Sequence, residues 1–263
     1  MRWIINFEFV RKIILQYLLA FFRNFGIINP TETRRIDEAM QLYHISGKKI
    51  TVYPSNAPGS PIVYLNSSEE EEEQICQALR EFQCPDFTLV TISGLDWNHD
   101  MAPWDMPPAF KGAPPCTGGA DEYLRLLTQE IVPTVETALQ DAPCWRGLAG
   151  YSLAGLFAIY AAYQTPAFSR IASMSGSLWF SGFQEYVSTH EMAGDITHVY
   201  LSLGDRESRT GNPYLKTVQE RTEEIAALYA QKGIDTIFQL NPGNHFKNVF
   251  RRIAAGIAWI LDK

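Results

Sequence analysis

Residues 147–164 read GLAGYSLAGLFAIYAAYQ, a β-rich start that passes through Gly150-Tyr151-Ser152-Leu153-Ala154-Gly155 into a run of small and apolar residues. An alanine would pack as well as Ser152 in such a place, so the hydroxyl needs a reason. The six residues fit the pattern G-x-S-x-G with Ala154 in the last slot and a glycine directly after it. A strand entering a helix through this turn forces the serine backbone into a strained conformation. Bulky residues two positions to either side would strike the neighbouring strand and helix. The turn lifts the hydroxyl above the sheet edge at the start of a helix, which makes Ser152 a candidate nucleophile. The Leu153 amide then becomes a candidate oxyanion donor, aided by the helix dipole.

Working outward, the runs KKITVYP, PIVYLN, FTLVTIS, CWRGLAGY, FSRIASMSGS, THVYLSLG and IDTIFQLN read as strands. Helical patterns alternate with them. SSEEEEEQICQALREF starts with Ser67 or Ser68 as its N-cap and a glutamate run read as a solvated first turn. ADEYLRLLTQEIVPTVETAL is kinked or restarted at Pro133. LKTVQERTEEIAALYAQKG stops at Gly233, and FKNVFRRIAAGIAWILD closes the chain. The alternation predicts an α/β fold, a mostly parallel central sheet with helices on both faces, formed by one domain over 41–263. Sites in such sheets sit at the carboxyl ends of the strands.

Those strand ends carry the remaining candidates. His245, in NPGNHFKN after the last strand, is placed to serve as the base for Ser152. The acid falls in GDRESR, where Asp205 and Glu207 are both available and residue chemistry alone does not separate them. A second oxyanion donor is expected near Asn66 or Ser67, after PIVYLN. The segment GLDWNHDMAPWDMPPAFKGAPPCTGG is too long and too aromatic for a plain connector. Its Trp97 and Trp104, with Ser177 and Trp179 of SGSLWF, are candidate pocket residues, and His99 is a candidate substrate contact.

Composition excludes other classes. The formal net charge is −7, with no Lys/Arg stripe, so neither a phosphate backbone nor an anionic membrane surface is an expected partner. The four cysteines, Cys76, Cys84, Cys116 and Cys144, form no CxxC pair and no zinc-type cluster. Free thiols in a reducing, cytoplasmic setting are expected, with no metal and no cofactor. Residues 1–40 form a separate extension, rich in Ile, Leu and Phe with interspersed basic residues. Three readings apply to it: an amphipathic helix docking on the body or a membrane surface, a poor signal anchor, or sequence translated upstream of a start at Met40. The first and third are preferred.

With these residues in hand, the chain from about Lys48 onward resembles the esterase branch of the α/β-hydrolases. That group includes esterase D, feruloyl and acetyl-xylan esterases and the siderophore esterases. The resemblance rests on GYSLAGLFAIYAAY, SGSLWF, YLSLGDRESRT, GNHF and GLDWNHDMAPW. It implies an α/β-hydrolase fold and a serine esterase acting on a small-molecule ester, of siderophore or simpler acyl type, through an acyl-enzyme. It also implies Ser152 as nucleophile, His245 as base and Glu207, in preference to Asp205, as acid, where an aspartate is commoner in the family. An acyltransferase or peptidase would use the same residues, and a silent binding protein would have lost one of them.

Overall fold

The computed structural model describes residues 40–139 and 141–262. The expectation placed on the N-terminal extension concerns residues that, Met40 apart, lie outside the described ones. Contacts gather Gln41–Lys263 into one compact unit.

Ten strands are described: β1 (Gln41–Ile45), β2 (Lys48–Tyr53), β3 (Ile62–Asn66), β4 (Thr88–Ser93), β5 (Asp105–Met106), β6 (Cys116–Thr117), β7 (Arg146–Tyr151), β8 (Arg170–Met174), β9 (His198–Gly204) and β10 (Asp235–Asn241). Eight of them make one sheet in the order β1-β2-β4-β3-β7-β8-β9-β10. Pairing is antiparallel from β1 through β2 to β4 and parallel from there to β10. The mostly parallel sheet expected from the alternation is present.

Helices α1 (Glu72–Glu81) and α8 (Val249–Leu261) cover one face of the sheet. The other face carries α3 (Ala120–Leu126), α4 (Val132–Thr137), α5 (Leu153–Gln164), α6 (Phe183–Thr189) and α7 (Val218–Gln231). The central strands serve both layers. In β3, Ile62 and Tyr64 point into the second layer, while Val63 and Leu65 point into the first. That is why β3, β4 and β7 read as unbroken apolar runs rather than alternating ones.

Three local features were not read from the sequence. Strand β1 joins β2 through Ser46 and Gly47, both with positive φ (50° and 80°), which is the backbone twist a two-residue hairpin needs. The long segment after β4 folds into the short α2 (Trp97–Asp100) and a two-stranded antiparallel β5–β6 ribbon. Helix α3 passes through a wide π-turn at Leu127–Ile131 into α4. Pro133 sits at the start of α4, where its missing N–H costs no helical bond, so the expected restart takes the form of a widened turn.

One glutamate departs from the solvated reading. Glu72 folds over the sheet and accepts hydrogen bonds from the hydroxyls of Thr51 (3.0 Å) and Thr91 (2.8 Å).

Candidate active site

The turn between β7 and α5 is as strained as the sequence pattern requires. Ser152 has φ 59° and ψ −121°, a positive φ on a residue with a side chain. Gly150 makes the turn possible, because a Cβ there would lie 2.2 Å from the carbonyl oxygen of Ala154. The Ser152 amide donates to Met174 O (3.1 Å), and its carbonyl accepts from Gly155, Leu156 and Ser177. The hydroxyl is thereby held at the edge of the sheet. Leu153 is the first residue of α5, so its amide belongs to the orphan donors of a helix N-terminus, directly beside Ser152.

The loop after β10 brings His245 to this hydroxyl. His245 Nε2 lies 3.1 Å from Ser152 Oγ, and Nδ1 lies 2.8 Å from Glu207 Oε2. Glu207 is the acid that meets the histidine. Asp205 instead accepts the Gly243 amide (2.8 Å) and so fastens the histidine loop to the end of β9. Gly204 also serves this junction, since a Cβ there would stand 2.3 Å from Gly243 O.

Burial alone would raise the pKa of Glu207. The hydrogen bonds and charge of His245, the Gly204 amide (2.6 Å) and the Ser175 hydroxyl (2.8 Å) outweigh it and hold the carboxyl below the ordinary glutamate value. The carboxylate form is thereby favoured, an acceptor-only group that can take the hydrogen bond from Nδ1.

A residue the sequence reading did not single out completes this arrangement. Arg252 of α8 is 2% exposed, and its Nη1 donates to Glu207 Oε1 (3.0 Å), Ser175 Oγ (3.0 Å) and the Tyr151 hydroxyl (3.2 Å). Its Nη2 donates to the carbonyl of Asn244 (3.1 Å), next to the histidine. Tyr151 in turn donates to the His245 carbonyl (2.6 Å). One buried guanidinium thus links the acid, the strand before the serine and the histidine loop.

Ser152 opens into a cavity of about 370 Å³. Trp97, Ser177 and Trp179 line it, as expected, together with Leu153, Glu207 and His245. Trp104 does not. It packs, partly buried, against the core among Tyr160, Phe180, Phe183 and Tyr186, with its indole N–H donated to Ser181 O (2.9 Å). His99 turns away as well, bonding Thr117 Oγ1 through Nδ1 (2.8 Å) and lining a separate cavity beside Lys48 and Asp100.

At the two positions where a second oxyanion donor is expected, the Asn66 side-chain nitrogen and the Ser67 hydroxyl are buried with no hydrogen-bond partner among the described residues. The Ser67 amide is already donated to Ile92 O (2.9 Å), which extends the β3–β4 pairing by one residue. Asn66 ends β3 with its side-chain oxygen taken by the Tyr123 hydroxyl, and neither residue lines the cavity. All four cysteines are free thiols, and among the described residues no three His, Cys, Asp or Glu side chains gather as a metal site would require.

Comparison with known proteins agrees with the fold. Residues 47–254 match the family model described as "Putative esterase". The uncharacterized protein YbbA of Bacillus subtilis (strain 168) is 22% identical over 223 residues, covering 80% of this chain and 89% of that protein. Among solved structures, an IroE-like serine hydrolase from Shewanella oneidensis matches with a TM-score of 0.72 and 20% identity, over 85% of this chain and 80% of that one. Siderophore hydrolase EstA from Aspergillus nidulans matches with a TM-score of 0.67 and 20% identity, over 85% of this chain and 94% of its own.

Proposed function

The chain belongs to the "Putative esterase" family of carboxylic ester hydrolases, and from that premise we propose that it is a serine esterase working through Ser152, His245 and Glu207. The observation that carries the proposal is the continuous hydrogen-bond path from Ser152 Oγ through both ring nitrogens of His245 to a buried carboxylate.

In this reading Ser152 Oγ attacks the ester carbonyl while His245 Nε2 takes its proton. Glu207 accepts the Nδ1 hydrogen bond, holds the imidazole in the tautomer with Nε2 free, and stabilises the imidazolium that forms. The Leu153 amide donates to the oxyanion as it develops. Collapse of the tetrahedral intermediate releases the alcohol, which receives the proton from His245. A water activated by the same nitrogen then frees the acid and restores the serine.

Turnover of 4-nitrophenyl acetate tests this. Ser152→Ala and His245→Ala should each lower kcat by about 10³-fold or more, and the double variant should be little worse than either single one, because the residues act as a unit. Additive losses, or an active Ser152→Ala, would refute the assignment.

A further inference from the structure

The cavity beside Ser152 carries very little charge. Among the described residues that line it, the acidic and basic side chains are Glu207 and His245, which are hydrogen-bonded to each other. No lysine or arginine among the described residues lines it. Arg252 is buried behind the acid with its nitrogens turned to Glu207 and backbone carbonyls, and Lys247 lies against the Gly243 backbone. The walls are formed by side chains such as Trp97, Met106, Trp179 and Val218. At the rim stand Phe110 (59% exposed) and Phe246 (83% exposed), two of the few large apolar side chains that the described surface leaves open. Exposed aromatics converging on one cavity mark a surface that is covered when a ligand binds.

Placing an anion in such a space removes its water and supplies no counter-ion, while the ionised Glu207 at the inner end repels it. A neutral hydrocarbon group meets neither cost. We propose that the esters taken by this site are uncharged and apolar, with an aliphatic or aryl group filling the cavity against Phe110 and Phe246, and that anionic esters, including polyanionic metal–catecholate complexes, are excluded. The proposal rests on the esterase reading and narrows its substrate.

The test uses the full chain and matched pairs of esters. 4-Nitrophenyl pentanoate is compared with the 4-nitrophenyl half-ester of glutaric acid, which places a carboxylate at the end of an acyl chain of the same length. A second pair places the charge on the alcohol: methyl 4-butanoyloxybenzoate against 4-butanoyloxybenzoate, each rate corrected for its hydroxide-catalysed reaction. The neutral member of each pair should have a kcat/KM at least about tenfold higher, the scale expected when a charge enters a site without a partner. Phe246→Ala should lower the ratio of hexanoate to acetate turnover several-fold.

A charged ester turned over within about twofold of its neutral counterpart overturns the proposal, as does an unchanged hexanoate-to-acetate ratio. A fluorophosphonate probe run alongside separates the two readings. Labelling at Ser152 without charge discrimination sinks this inference alone. Absence of both labelling and turnover sinks the esterase reading and this inference with it.

Discussion

At Ser152 the chain accepts a backbone conformation that residues with a Cβ rarely adopt, φ 59° with ψ −121°, and this places the hydroxyl within reach of His245. Strain of that kind costs on the order of 1–3 kcal/mol, and glycine would relieve most of it. Ser152→Gly should therefore be inactive yet more stable than Ser152→Ala, by about 1 kcal/mol in urea unfolding. Glu207 makes an opposite contribution. Its folded-state pKa lies below the ordinary value, so its stabilisation is complete above that ordinary value and is lost as pH falls through the folded-state one. The stability gap between wild type and Glu207→Gln should accordingly narrow as pH is lowered from about 7 to about 3. Arg252→Met would leave that carboxylate buried beside a hydrophobic side chain, at a cost of about 3–5 kcal/mol, and should lower kcat/KM as well; Arg252→Lys should restore part of both. Ser152 and His245 could be paired in sequence because each sits at a strand end, in the chain order Ser, acid, His of the α/β-hydrolase pattern. Arg252 was not, since an arginine in FRRIA reads as an ordinary solvated helix residue until its burial is seen.

At the scale of elements, the site depends on two close approaches. The β7-turn-α5 unit closes only because Gly150 lacks a side chain opposite Ala154, and the histidine loop meets β9 only because Gly204 lacks one opposite Gly243. Gly150→Ala should thus push the turn open, lowering the Tm by roughly 5 °C or more and reducing activity in step. The strands and long helices follow from periodicity and from the runs that two-sided burial demands. The hairpin partner β1 escaped because its burial alternates weakly at a sheet edge, and the α2 and β5–β6 pieces are too short to produce a period. Ser67 shows the same limit. One extra ladder hydrogen bond carries its amide to Ile92 O, and strand ends are seldom legible to a single residue.

Across the described molecule, the parallel part of the sheet gathers residues 93 positions apart in sequence at one edge and leaves them facing a cavity with no lysine or arginine among its described lining residues. The net charge of −7 then acts mainly on charged ligands. Raising salt from about 50 to about 500 mM should change kcat/KM for a neutral ester by less than about twofold, while the handicap of the glutarate half-ester should shrink as the repulsion is screened. Which side chains form that uncharged wall was only partly legible. Of the tryptophans named as pocket candidates, Trp97 and Trp179 line the cavity while Trp104 packs against the core beside it, and the sequence offers no feature that separates the two placements. The most direct measurement of the central claim is peptide mapping by mass spectrometry after treatment with a fluorophosphonate. The account predicts one stoichiometric adduct on Ser152, absent from Ser152→Ala and strongly slowed in His245→Ala. An adduct on another residue, or equal labelling of Ser152→Ala, would contradict it.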